Sequence, residues 1–261
     1  MARLDLKIEG PPGTIAASVL ATALANSVSI LRDLASAITP RKAQVTWFVE
    51  YLRTDSARVG LLSKPRADVG EADLGRITLA YVDGLRVIEE GNVLPEYLSE
   101  TSLDRVKKIT RPLVGPVSAF SATADLDGGT TASVTVTHKA ADNVVRLMRP
   151  ESRGLGSVTG RLEAVNLHWT RPKFNIYDEL TRRPVSGYFD QSSLEAVREA
   201  LGKRMRVSGM VVRNAKGQPI RVENPELASL AEVRALTELV GLDPGFMGDQ
   251  TLSEYMDEHV G

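Results

Sequence analysis

Hydrophobic and polar positions alternate or recur in clear blocks along the first 151 residues. Leu4, Leu6 and Ile8 alternate with Asp5 and Lys7 until Gly10-Pro11-Pro12-Gly13 stops them, which predicts a strand and a turn. Leu20, Leu24, Val28, Leu31 and Ile38 recur at helical spacing, so residues 14–38 read as a helix closed by Pro40. Val45, Trp47, Val49 and Tyr51 alternate again, and Thr54-Asp55-Ser56 turns the chain into Val59–Leu62. Leu74, Ile77, Tyr81, Leu85 and Ile88 mark a second helix with Gly91-Asn92 as its C-terminal stop. A short helix over 102–111 ends at Pro112. A hairpin over 117–126 and 130–138 follows, and a helix over 140–148 runs to Pro150. The order β-α-β-β-α-α-β-β-α predicts an α+β domain over 1–151, its mainly antiparallel sheet covered by helices on one face.

The pattern changes over 152–225. Leu155–Leu167 reads as a long strand interrupted by Gly156 and Gly160, followed by strands over 173–177 and 184–189. Ser192-Ser193-Leu194-Glu195 has the form of a capping box and opens a helix closed by Gly202. Met205, Val207, Gly209 and Val211 alternate in a fourth strand, and 218–223 make a fifth. Three strands, a helix and two strands is the order of the OB-fold, a five-stranded Greek-key barrel. Gly202-Lys203-Arg204-Met205-Arg206-Val207-Ser208-Gly209 resembles the G-x-x-V-x-V-x-G run of that fold, with Met205 in the first Val place.

Residues 226–261 read as a third region. Leu227, Leu230, Val233, Thr237 and Val240 predict a short amphipathic helix ended by Gly241. Thr251-Leu252-Ser253-Glu254 repeats the capping-box form and starts a last helix. Its apolar side is Leu252, Tyr255, Met256 and Val260. A helix of about ten residues is marginal alone in water, so this stripe needs a cover.

Charge separates along the same boundaries. Residues 1–151 are neutral, 153–222 carry a net charge of +7, and 223–261 carry −8, inside a total of −1. Such asymmetry speaks to partners. It gives the barrel a nucleic-acid reading, with Arg161, Lys173, Tyr177, Arg183, Tyr188, Arg204 and Arg206 as candidate contacts to phosphates and bases. Strand alternation puts Phe174 and Ile176 inward and Tyr177 and Tyr188 outward. The acidic tail has a protein-docking reading, with Phe246, Met247, Leu252, Tyr255 and Met256 as anchors.

The run Gly241-Leu242-Asp243-Pro244-Gly245-Phe246-Met247-Gly248, with Ser253-Glu254-Tyr255-Met256 after it, resembles the C-terminal neutralising segment of bacterial antitoxins. The resemblance implies a small toxin as partner, often a PIN-domain ribonuclease. Those segments commonly carry an Arg near the end, where this chain has Asp257-Glu258-His259-Val260-Gly261. The layout as a whole resembles uncharacterised bacterial proteins that pair an α+β domain with an OB-like one.

Catalytic patterns are missing from the sequence. The chain has no cysteine, and His138, His168 and His259 stand apart from one another. Gly154-Leu155-Gly156-Ser157-Val158-Thr159-Gly160 misses the dinucleotide spacing by one and leads into a strand. Asp125-Leu126-Asp127-Gly128-Gly129 lacks the later ligands of a calcium loop. No apolar run has the length and purity of a membrane span, and residues 1–7 alternate where a signal peptide would be apolar. The expectation is a cytoplasmic, non-catalytic binding protein without cofactor or metal. It acts antitoxin-like through its tail, with single-stranded nucleic-acid binding by the barrel as the second reading.

Overall fold

A computed structural model of the chain describes residues 2–39, 45–53, 57–65, 70–126, 130–167 and 172–231. The chain falls into two units, Met1–Ser229 and Leu230–Gly261. All described helices and strands lie in the first. The predicted tail helices fall almost wholly outside the described residues.

The first half of this unit holds β1 (Arg3–Glu9), α1 (Ala17–Ile38), β2 (Val45–Arg53), β3 (Arg58–Pro65), α2 (Glu71–Glu90), α3 (Glu100–Thr110), β4 (Ala119–Leu126), β5 (Thr130–Val136) and α4 (His138–Leu147). The strands form one sheet in the order β2-β3-β1-β4-β5, with every neighbour antiparallel. Leu4, Leu6, Ile8, Val59, Leu61, Phe120, Ala122 and Ala124 point to one face and share a core with the helices. Arg3, Asp5, Lys7 and Glu9 point to the other, so β1 alone carries the period of two that sets the two faces. Tyr81 donates to Ser27 Oγ at 2.7 Å and joins α2 to α1 inside that core. Gly91, at φ 74°, caps α2, and Asn143 of α4 donates to the carbonyls of Ile88 and Glu89 there.

The second half holds β6 (Ser152–Asn166), β7 (Lys173–Asp178), β8 (Pro184–Tyr188), α5 (Leu194–Ala200), β9 (Arg204–Arg213) and β10 (Pro219–Ser229). These strands close on themselves in the order β10-β8-β7-β6-β9. The β8–β10 pair is parallel and the others are antiparallel. Phe174, Ile176, Val185, Phe189, Val207, Val211 and Val222 fill the interior, where the Phe174 and Phe189 rings lie 5.9 Å apart. The inward and outward alternation predicted for β7 and β8 is the one observed. The glycines at 154, 156 and 160 are all part of β6.

Several element ends differ from the sequence pattern, each for a local reason. Thr14 closes a turn onto the Pro11 carbonyl through both N–H and Oγ1, so α1 starts at Ala17. His138 starts α4 and does not end β5, because Thr137 turns out of the strand and caps the helix at Lys139 N. The Ser192–Glu195 capping box does not form. Gln191–Ser193 instead make a 3-10 turn, and Ser193 gives α5 no side-chain cap. Leu227 lies in a strand and not in a tail helix. A bulge at Asn224-Pro225 kinks β10, and pairing resumes from Glu226 opposite Ser208 to Ser229 opposite Met205. Leu227 packs on the barrel core there, which moves the end of the barrel from 225 to 229. No described helix is long and apolar enough to cross a membrane.

Gly160 marks a close approach of β6 to the backbone of β7. A Cβ at this position would lie 1.8 Å from the Tyr177 carbonyl oxygen, a backbone atom with no room to retreat. Gly160→Ala should therefore lower the unfolding free energy by about 1–3 kcal/mol. A urea titration would register this as a lower midpoint with an unchanged slope.

Candidate binding face of the barrel

The outward side of β7 and β8 is the surface on which the sequence places Lys173, Tyr177 and Tyr188. In the structure it faces the chain's own helices. Ser99 caps α3 by accepting from Ser102 N, and this sets Glu100 and Thr101 in the helix's first turn. Glu100 Oε2 lies 3.9 Å from Lys173 Nζ and accepts from Tyr188 OH at 3.3 Å. Ser186 Oγ lies 3.4 Å from the same oxygen and 3.1 Å from Asn175 Oδ1. Lys173 Nζ also donates to Thr101 Oγ1 at 3.3 Å and is only 9% exposed. One carboxylate thus gathers an ammonium, a phenol and a hydroxyl from two strands.

Arg183 is buried at the same junction, 3% exposed. Its Nε donates to the Pro95 carbonyl at 3.2 Å, and the neighbouring Arg182 carbonyl accepts from Tyr97 N at 3.2 Å. Burial lowers the Arg183 guanidinium to about 10, with Asp178 working in the other direction. The side chain therefore stays charged at neutral pH. Its Nη1 has no hydrogen-bond partner among the described residues. Further along, Gln218 Oε1 accepts from Leu94 N at 2.9 Å, and Asn214 Nδ2 donates to the Leu147 carbonyl at 3.0 Å.

Beside these contacts a cleft of about 270 Å³ remains between α1, α3 and strands β6 and β7. Asp33, Thr101, Arg105, Asn166, Lys173 and Tyr177 are among the residues lining it. Asp33 pairs with Arg105 and accepts from Ser102 Oγ at 2.8 Å. Burial pushes the Tyr177 phenol up, and the negative charges of Glu163 and Asp33 push it further, so it stays neutral. The cleft offers hydrogen bonds, but Asp33 and Arg105 are already paired with each other and Lys173 is held by Glu100 and Thr101. Among the described residues no group of three or more His, Asp or Glu is placed to hold a metal ion.

The other candidates on the barrel lie elsewhere. Arg161 and Arg206 are exposed on the adjacent strands β6 and β9, where Arg161 stands opposite Arg204 and Thr159 opposite Arg206. Arg204 grips Glu179 through two bonds of 2.6 and 2.9 Å, and this holds the Glu179 carboxyl below the usual carboxylate range. The seven barrel residues therefore divide into two sets. Lys173, Tyr177, Arg183 and Tyr188 lie toward the helices, while Arg161, Arg204 and Arg206 lie along the β6–β9 pair, and Arg161 joins the two sets by standing opposite Tyr177 on β7 as well. Phe246, Met247, Leu252, Tyr255 and Met256 fall outside the described residues. Glu100, Thr101 and Asp33 were not legible as site residues, because nothing in their spacing relates them to a barrel that begins more than 50 residues downstream. Compared with known protein families, curated proteins and solved structures, the chain gives no match.

Two outcomes follow from these contacts. Glu100→Ala removes an acceptor shared by Lys173, Tyr188 and Ser186 and should cost about 1–3 kcal/mol of stability, measured by urea denaturation. Glu179 titrates below its unfolded value when folded, so its pairing stabilises above the ordinary carboxylate value and is lost as pH falls through the folded one. Glu179→Gln should flatten the acid limb of a melting-temperature profile recorded between about pH 3 and 6.

Proposed function

We propose that this chain is a non-catalytic binding protein, antitoxin-like in plan, that docks a protein partner through its C-terminal segment. The observation that carries this reading is the occupied barrel face. The side chains most suited to stack on or neutralise a ligand there, Tyr188 and Lys173, are bound to Glu100 and Thr101 of the same chain. That leaves the acidic segment after Ser229, with its apolar anchors Phe246, Met247, Leu252, Tyr255 and Met256, as the better supported docking element. Acidic residues beside such anchors suit a basic partner and speed its encounter. The tail's resemblance to antitoxin segments points to a small toxin as that partner, such as a PIN-type ribonuclease.

The barrel is best read as OB-like. Its five closed strands, the parallel pairing of the third with the fifth, and a helix between the third and fourth support that reading. A second reading keeps nucleic acid as ligand but moves it to the β6–β9 surface, favoured by the exposure of Arg161 and Arg206 on neighbouring strands.

The test compares the full chain with a form ending at Ala231, since ending at Glu226 would cut into β10. Recovery from native lysate of one small protein by the full chain alone is the expected result. A synthetic peptide of residues 232–261 should compete for it, and Tyr255→Ala should weaken binding by about tenfold or more. Equal recovery of a nuclease-sensitive mixture by both forms would overturn the tail reading in favour of the β6–β9 surface.

A further inference from the structure

The five-stranded sheet ends in two edges of opposite character. The β5 edge is made of Thr130-Thr131-Ala132-Ser133-Val134-Thr135-Val136, and α2 packs beneath it. The β2 edge is Val45-Thr46-Trp47-Phe48-Val49-Glu50-Tyr51-Leu52-Arg53, with neither lysine nor proline. Phe48 is 49% exposed, and Val49 and Leu52 are each 56% exposed. Three large apolar side chains thus stand open within five residues, on a strand whose outer backbone groups have no neighbouring strand among the described residues. Lone edge strands are ordinarily blunted by charge, proline, a bulge or a covering element, and of these β2 has one bulge with Glu50 and Arg53 as its charges. Here a matching strand would satisfy backbone and side chains together.

We propose that the occupant is a second copy of this chain, pairing β2 with β2 antiparallel about a two-fold axis and joining two five-stranded sheets into one of ten strands. The bulge in β2 points to this partner. Pairing with β3 skips from Val49–Leu61 to Tyr51–Gly60, so the alternation of faces is reset within the strand. As a result Val49 and Leu52, three residues apart, lie on the same face as the buried Leu61 and Val59 they oppose. Phe48 and Arg53 share the opposite face. A two-fold axis between Glu50 and Tyr51 then sets Val49 against Leu52 of the second copy, twice, with like facing like. It sets Phe48 against Arg53 of the second copy, a cation over a ring. The strand already favours such pairs, with Arg53 over Tyr51 at 5.5 Å and Lys64 over Phe48 at 5.9 Å. No like charges stand directly opposed in this register, and Glu50 is bound to Arg3 of its own sheet. The bulge falls on the axis, so both copies accommodate it at one place. A strand of unrelated sequence would lack this coincidence of bulge, faces and charge.

The chain contains no cysteine, which makes the register directly testable. Val49→Cys and Leu52→Cys each introduce a single thiol at an exposed position. Sedimentation of the full chain should give about twice 28.3 kDa at micromolar concentration. Mild oxidation should join the two variants when they are mixed, several-fold more than either variant alone. Val49→Lys with Leu52→Lys should yield a monomer with an unchanged far-ultraviolet circular dichroism spectrum. A monomeric parent chain would overturn the proposal. So would thiol bridges formed as readily within each single variant as between them, or a dimer that survives the two lysines. The thiol variants are small changes at exposed sites, so the test stands even where the lysine variant fails to fold.

Discussion

The Glu100 carboxylate is the hinge of the described structure. Lys173 is nearly buried, and a buried ammonium without a counter-charge is costly. Glu100 meets that need while accepting from Tyr188 and lying beside Ser186. Its own position explains why it is there. It is the first residue after the Ser99 cap, where the helix dipole favours a negative charge. One residue therefore serves the start of α3 and the attachment of the barrel. The backbone bonds at Pro95, Tyr97 and Leu94 lie just before the same helix and fix the same two halves.

That attachment decides how the barrel is to be read. A small barrel with aromatic and basic residues on its second and third strands invites a nucleic-acid interpretation. Here those strands turn toward α3, and their polar groups are used within the chain. Fold alone does not assign function. The contrast with the sheet is instructive. Closure leaves the barrel without edges, whereas the sheet keeps two, one polar and one apolar.

Much of the architecture was legible in the sequence, because burial on one face imposes a period. Leu4, Leu6 and Ile8 announced β1, the Leu74–Ile88 stripe announced α2, and Gly91 ended that helix as expected. The five barrel strands and α5 were legible for the same reason. Side chains that act across long separations were not. Glu100 meets Tyr188 from 88 residues away, and no local pattern records that pairing. Arg183 read as a ligand-binding cation, because charge in a sequence does not say whether it faces water or another part of the same chain. Leu227 read as helical because Leu227 and Leu230 have helical spacing, whereas pairing with β9 makes 226–229 a strand. Tertiary partners overrode the local period.

The two arms of β10 are held unequally. Arg221–Glu223 pair with β8 on one side and β9 on the other, while Glu226–Ser229, beyond the bulge, pair with β9 alone. Amides of the outer arm are thus the cheaper to open, and the bulge separates them from a segment whose release requires breaking the barrel. Tension applied at the C-terminal end would fray the outer arm first and stop at Asn224-Pro225. The strand that closes the barrel is also its strain relief, giving up Leu227 and the outer pairing before the inner arm is loaded.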